Sequence, residues 1–127
     1  MTVLVADDSE RSRELLSAVL GHLGFTVIGA STGTQALALA ERHRPCLAIL
    51  DIRMPGLDGY QTAQAIRGVA GLGGIPIIAL TASAREEDRD RAISAGFTRF
   101  YTKPMDLSAL RRAILDAIPA SAVAASR

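Results

Sequence analysis

Three short strand-like runs end on polar groups able to do chemistry: residues 3–6 lead into Asp7 and Asp8, residues 47–50 into Asp51, and residues 99–102 into Lys103 and Pro104. If these runs are neighbouring parallel strands, three carboxylates and one ammonium meet at one edge of a sheet. Like charges that close raise one another's pKa, and a bound cation relieves them. A hard oxygen set with room for water and a phosphate oxygen suits Mg²⁺. Asp51 is then the carboxylate free to attack phosphorus and form an acyl phosphate. A transferring phosphoryl group needs cationic and hydrogen-bonding partners for its equatorial oxygens. Lys103 supplies the first, and the hydroxyl of Thr81, following the apolar run Ile77-Ile78-Ala79-Leu80, supplies the second.

Taken singly, each of these residues has an ordinary reading: Asp8 as a helix cap, Thr81 as a turn residue, Lys103 as an exposed lysine. The conjunction is harder to dismiss. Of the 14 Lys and Arg residues only Lys103 is lysine, so a compact point charge is kept where arginine is otherwise the rule. His22 and His43 fall inside helical patterns away from this edge, which disfavours a transition-metal site.

The elements that position these groups can be read from apolar periodicity. Strand-like runs occupy residues 3–6, 26–30, 47–50, 76–80 and 98–101, and those at 3–6, 47–50 and 77–80 are continuously apolar, as in strands covered on both faces. Between them, Leu15, Leu16, Val19, Leu20 and Leu23 recur at helical spacing from Ser9 to Gly21. Ala36, Leu37 and Ala40 do so between Thr34 and His43, and Tyr60, Ala63 and Ile66 between Asp58 and Arg67. The Gly68 to Gly74 stretch reads as a mobile loop. A helix from Arg85 to Ala95 begins with seven consecutive charges and has little apolar grip on a core. It reads either as a solvated face or as a partner surface or switch element. The final helix, Leu107 to Ile118, carries Leu107, Leu110, Ile114, Ala117 and Ile118 on one side. Strict alternation of strand and helix with short connections predicts an α/β fold, a parallel sheet wrapped by helices on both faces. Ligands in such folds bind beyond the carboxyl ends of the strands, where all the polar groups named above fall.

At 127 residues the chain suffices for one domain with one core. With 14 basic against 13 acidic residues, no overall charge draws it to nucleic acid or to a membrane surface. One cysteine, Cys46, excludes a disulfide framework and structural zinc. No stretch approaches a membrane span and no leader pattern is visible, so the chain reads as soluble and cytoplasmic.

The segments Val3-Leu4-Val5-Ala6-Asp7-Asp8-Ser9, Leu50-Asp51-Ile52-Arg53-Met54-Pro55-Gly56-Leu57-Asp58-Gly59, Leu80-Thr81-Ala82 and Thr102-Lys103-Pro104 together resemble the receiver domains of bacterial two-component response regulators, the CheY-like family, over residues 2–118. The resemblance implies a flavodoxin-like five-stranded sheet of order 2-1-3-4-5, with a receiver domain over residues 1–119 and a short tail at 120–127. It implies that Asp51 takes phosphate from a phosphohistidine on a sensor histidine kinase or phosphotransfer protein. Asp8, Asp51 and the backbone carbonyl of Arg53 then hold Mg²⁺, with Asp7 acting through water. A cis peptide between Lys103 and Pro104 is also implied, and an X-Pro bond makes that isomer accessible. Thr81 is expected to couple to an aromatic three residues before the lysine, here Phe100 rather than the frequent Tyr. Tyr101 does not substitute, because adjacent strand residues point to opposite faces. Arg53 and Ser83 are expected to flank the path of water to the acyl phosphate. The charged helix, the last strand and the last helix are expected to form the face that binds a downstream protein effector or a second, phosphorylated copy.

Two other classes compete. A Mg²⁺-dependent phosphatase of the haloacid-dehalogenase type also forms an aspartyl phosphate, but its Asp-x-Asp pattern after the first strand is not the adjacent Asp7-Asp8 pair. A scaffold that never takes phosphate has no use for the intact Asp8, Asp51, Thr81 and Lys103 set. A dinucleotide binder fails for want of Gly-x-Gly-x-x-Gly after the first strand. On this reading the chain is a signalling module that acts catalytically only on itself.

Overall fold

The computed structural model describes residues 1–82, 86–103 and 105–118. Five strands and five helices alternate along the chain: β1 (Thr2–Ala6), α1 (Glu10–His22), β2 (Thr26–Ala30), α2 (Gly33–His43), β3 (Leu47–Leu50), α3 (Gly59–Arg67), β4 (Ile77–Thr81), α4 (Glu86–Ala95), β5 (Arg99–Thr102) and α5 (Leu107–Ala117). The sheet is parallel throughout, in the order β2-β1-β3-β4-β5. The chain is therefore α/β with the expected flavodoxin-like topology.

The period-2 alternation of the central strands divides the core in two. Leu4, Ala6, Ala48, Leu50, Ile77 and Ala79 face one way and pack with residues of α2, α3 and α4. Val3, Val5, Leu47, Ile49, Ile78 and Leu80 face the other way, onto Leu16 and Leu20 of α1 and Leu110 and Ile114 of α5. The two edge strands, β2 and β5, are less buried, as strands with one pairing partner should be. Cys46 is half-buried against the α1–α5 side, and burial pushes its thiol pKa up, so it packs as a small apolar side chain.

Three sequence expectations are modified. Leu15 and Leu107, which share the spacing of their helices' apolar stripes, are 43% and 58% exposed, because they line an open groove between α1 and α5 instead of the core beneath. The Gly68–Gly74 stretch is tied down rather than loose: Leu72 is buried in the core, and Arg67 donates hydrogen bonds to the carbonyls of Leu72, Gly73 and Ile75 while Arg44 donates to that of Ala70. Thr81 is the last residue of β4 rather than the first residue after it. Ser83, Arg85, Pro104 and the tail at 120–127 lie outside the described residues, and with them the expected cis peptide.

Order reversal positions the site. β1 pairs with both β2 and β3, so the chain leaves β1 to one side and returns to β3 on the other. The crevice above that switch point is the place where such sheets bind ligands, and Asp7, Asp8 and Asp51 stand there. Two glycines let the neighbouring loops close in. A Cβ on Gly59 would lie 2.6 Å from the Asp51 carbonyl oxygen, and one on Gly33 would lie 2.2 Å from the Leu57 carbonyl oxygen; neither position has room for a side chain. The Gly59 N–H donates to the Ile52 carbonyl at 2.7 Å. Asp58 caps α3 in a reciprocal capping box with Gln61. The first turn of α3 is thus locked against the backbone that carries Asp51.

Candidate functional site

Each strand end delivers one group. The Asp7 N–H donates to the Ala30 carbonyl at 3.0 Å and the Asp51 N–H to the Ala6 carbonyl at 2.8 Å, so both aspartates continue the sheet pairing for one residue past their strands. The Lys103 N–H donates to the Thr81 carbonyl at 2.7 Å, which ties the residue after β5 to the end of β4. From there the lysine side chain crosses back over the sheet to the carboxylates.

The Lys103 ammonium lies 2.5 Å from Oδ2 of Asp7 and 3.2 Å from Oδ2 of Asp51, with the Ser12 hydroxyl at 3.3 Å. Asp7 is 1% exposed and Asp51 8% exposed. Both oxygens of Asp7 are engaged, because Oδ1 accepts the Ser9 N–H at 2.9 Å. Oδ1 of Asp51 accepts the Arg53 N–H at 3.2 Å. Asp8 is different: it is exposed, and among the described residues its carboxylate has no hydrogen-bond or ion-pair partner. One oxygen from each of Asp7, Asp8 and Asp51 lies within 4.8 Å of the others. Thr81 is fully buried.

The electrostatics follow from two buried carboxylates sharing one ammonium, with the third, Asp8, unpaired beside them. Burial pushes the Asp51 pKa up; Lys103 opposes this and Asp7 adds to it, and the net direction is upward. For Lys103 burial acts downward, but the hydrogen bond to Asp7 and the charges of Asp51 and Asp7 outweigh it, so the ammonium is held above its usual range. Lys103 is therefore charged at any physiological pH, and closest to Asp7 rather than Asp51. An excess of negative charge remains, and the donor set is hard oxygen, partly solvent-facing through Asp8. These residues fit a small divalent cation that keeps several waters.

All four sequence-identified strand ends converge here. Phe100 lies elsewhere: half-buried on β5, it packs against the α2–α4 side of the core, and the Arg89 guanidinium sits 5.5 Å from its ring centroid. Tyr101 packs on the opposite side, as strand alternation requires. Two residues of α1 at the site escaped the sequence reading. Ser12 reaches Lys103, and Arg13 donates to the Asp7 carbonyl at 2.5 Å. The available signal was their position in the first turn of a helix that starts two residues after Asp8. A third is Tyr60, which follows Gly59: its hydroxyl donates to the carbonyl and Oδ1 of Asp88 on α4 at 3.2 and 3.3 Å. The sequence marks Tyr60 only as a core position.

The model of the response regulator receiver domain family matches residues 3–115. The chain is 42% identical over 106 residues to an uncharacterized 14.6 kDa protein from the sodA1 3′ region of Leptolyngbya boryana, covering 84% of this chain and 81% of that one. It is 34% identical over 114 residues to the sensor histidine kinase RcsC of Salmonella typhi, covering 90% of this chain but only 12% of the kinase. Among solved structures, the chemotaxis protein CheY4 of Vibrio cholerae superposes with a TM-score of 0.88 at 29% identity, over 92% of this chain and 98% of that one. The receiver domain of the sensor histidine kinase PA1611 from Pseudomonas aeruginosa, which has a magnesium ion coordinated in its active-site cleft, superposes with a TM-score of 0.83 at 34% identity, over 91% and 95% of the two chains. The chain belongs to the response-regulator receiver family of two-component signalling. It is a signalling module, and no helix among the described residues is long and apolar enough to cross a membrane.

Proposed function

We propose that the chain is a Mg²⁺-dependent phosphoacceptor in which Asp51 takes a phosphoryl group from a phosphohistidine of a sensor histidine kinase or phosphotransfer protein. The observation that carries this reading is the division of labour among the carboxylates. Asp7 has both oxygens committed, Asp8 is open, and Asp51 is nearly buried yet touches the one lysine of the chain. That pattern suits Asp8 and Asp51 as direct metal ligands, with the backbone carbonyl of Arg53, and Asp7 as a ligand through water. When bound, the ion would offset the charge of Asp51 and of the incoming phosphoryl oxygens.

In the transfer an Asp51 carboxylate oxygen bonds to phosphorus as the P–N bond to the donor imidazole breaks, and the electron pair stays on the imidazole nitrogen. Lys103 keeps an ammonium at the position where charge accumulates on the phosphoryl oxygens, and Thr81 holds a hydroxyl at the end of the adjacent strand. Water later attacks the acyl phosphate, with Arg53 beside its path, and returns Asp51. The signal would leave through Thr81 and Phe100 to the face formed by α4, β5 and α5, where a protein effector or a second copy binds.

Incubation of the chain and of Asp51→Asn with Mg²⁺ and acetyl phosphate, followed by intact-mass measurement, tests the reading. One phosphoryl group is expected on the wild type and none on the variant. An unmodified wild type, with no beryllofluoride-induced NMR shifts near Thr81 and Phe100, would falsify it.

A further inference from the structure

We infer that Ser12 is a positioning residue for Lys103: its hydroxyl is the third acceptor of the ammonium and keeps it on station while Asp51 changes charge. The inference rests on the phosphoacceptor reading above and deepens it. An ammonium has three N–H donors and no acceptor, and three oxygens surround Nζ: Asp7 Oδ2, Asp51 Oδ2 and Ser12 Oγ, at 2.5, 3.2 and 3.3 Å. Only Asp51 changes during the reaction, when one of its oxygens is bonded to phosphorus and its charge passes to the phosphoryl group. Asp7, the nearest and most strongly paired anion, then competes for the ammonium. A second fixed acceptor opposes that drift, and Ser12, on the first turn of α1, is the one present.

The surroundings make the hydroxyl hard to replace. A cavity of about 170 Å³ opens beside the lysine, and apart from Ser12, Arg11 and Lys103 its lining is apolar: Leu15, Leu16, Leu80, Met105 and Leu110. Without the hydroxyl, the third N–H loses the protein acceptor that this cavity offers it and the head group gains room to swing. The helix does not depend on the Ser12 side chain. Its cap is the Ser12 backbone N–H donating to Ser9 Oγ at 3.3 Å, which any residue retains, and Ala is the better helix former.

The test compares wild type, Ser12→Ala and Ser12→Thr. With saturating Mg²⁺, Ser12→Ala is expected to lower the maximal rate of phosphorylation by acetyl phosphate about three- to tenfold, the range for one hydrogen bond of ordinary strength, since 3.3 Å is long for a charge-assisted one. The half-saturating Mg²⁺ concentration should stay within about twofold, the melting temperature should be kept or raised, and Ser12→Thr should recover the rate, since the cavity has room for the added methyl. A Ser12→Ala rate equal to wild type, or a Ser12→Thr rate as low as that of Ser12→Ala, overturns the inference. A second measurement does not depend on phosphotransfer. Lysine-selective ¹⁵N labelling gives a single Nζ signal, that of Lys103, whose proton exchange is slowed while all three N–H groups are bonded. The signal should broaden in Ser12→Ala and persist in Ser12→Thr; an unchanged signal in Ser12→Ala overturns the inference. If the wild type takes no phosphate, the phosphoacceptor reading fails, and the Nζ signal alone decides the role of Ser12.

Discussion

Helices α1 and α4 lie on opposite faces of the sheet and are held there by different physics. α1 inserts Leu16 and Leu20 into the core, with Val19 and Leu23 packed against the same cluster. Among its described residues α4 contributes only Ala92 and Ala95 to the buried set, and its one large apolar residue, Ile93, is 63% exposed. Its remaining hold is on aromatic rings of neighbouring elements. The Arg91 guanidinium lies 4.2 Å from the Tyr60 ring centroid, the Tyr60 hydroxyl donates to Asp88, and Arg89 caps Phe100 at 5.5 Å. Tyr60 in turn meets Phe97 edge to face, with 6.4 Å between centroids.

Each buried Leu contributes about 1.5–3 kcal/mol, whereas an exposed cation–π contact contributes about 0.5–1 kcal/mol. α1 is therefore a fixed wall of the site, and α4 an element that a small free-energy change can move, which is the property switching segments share. The first turn of α3 links the site to the weaker of the two helices: Gly59 abuts the Asp51 backbone and the next residue, Tyr60, grips α4. The seven consecutive charges that open this region of the sequence are thus compatible with a definite docking geometry, provided by arginine stacking rather than by an apolar stripe.

Three substitutions probe the contrast. Leu20→Ala removes α1's most buried side chain and should cost about 2–5 kcal/mol, seen as a large drop in the urea midpoint. A loss below about 1 kcal/mol would show that α1 is not the rigid partner. Tyr60→Phe deletes the hydroxyl on Asp88 and should cost about 1 kcal/mol, with amide-exchange protection reduced in α4 and unchanged in α1. Equal loss in both helices would break the comparison. The smallest effect, opposite in sign, is expected at Asp51. Its pKa is raised in the folded chain, so its contribution to stability is full below the ordinary carboxylate range and is lost as pH rises through the folded value. In the absence of Mg²⁺, Asp51→Asn should therefore melt higher than wild type at neutral pH, and that gain should vanish in acid. A gain that persisted in acid would place its origin outside the titration of Asp51. Amide-exchange changes that accompany it are expected in the first turn of α3 and in α4, more than in α1.

The alternation of apolar runs and helical stripes made the fold legible in the sequence, because a doubly covered strand and a one-sided helix each leave a local periodic trace. The strand-end rule then made the site legible: Asp7, Asp8, Asp51, Thr81 and Lys103 all follow or end strands whose carboxyl ends share one edge. Rim positions were not legible. Leu15 and Leu107 fit their stripes, and only the way α1 and α5 lie side by side leaves them lining the open groove between the two helices. The Gly-rich segment after α3 is the loop its composition indicates, but its anchoring was not legible: its carbonyls are held by Arg67 and Arg44, side chains outside the segment whose reach no local pattern records.

By itself, then, the sequence determined which groups are present and at which edge they gather, since both depend on neighbours along the chain. The tertiary structure decided how those groups are shared. Lys103 and Asp7, 96 positions apart, form the shorter of the site's two ion pairs. That contact commits Asp7, leaves Asp8 open, and holds the lysine between Asp51 and Ser12. Through-space distances of a few ångströms set such choices, because ion pairing and desolvation vary steeply over that range and no spacing in the chain encodes them.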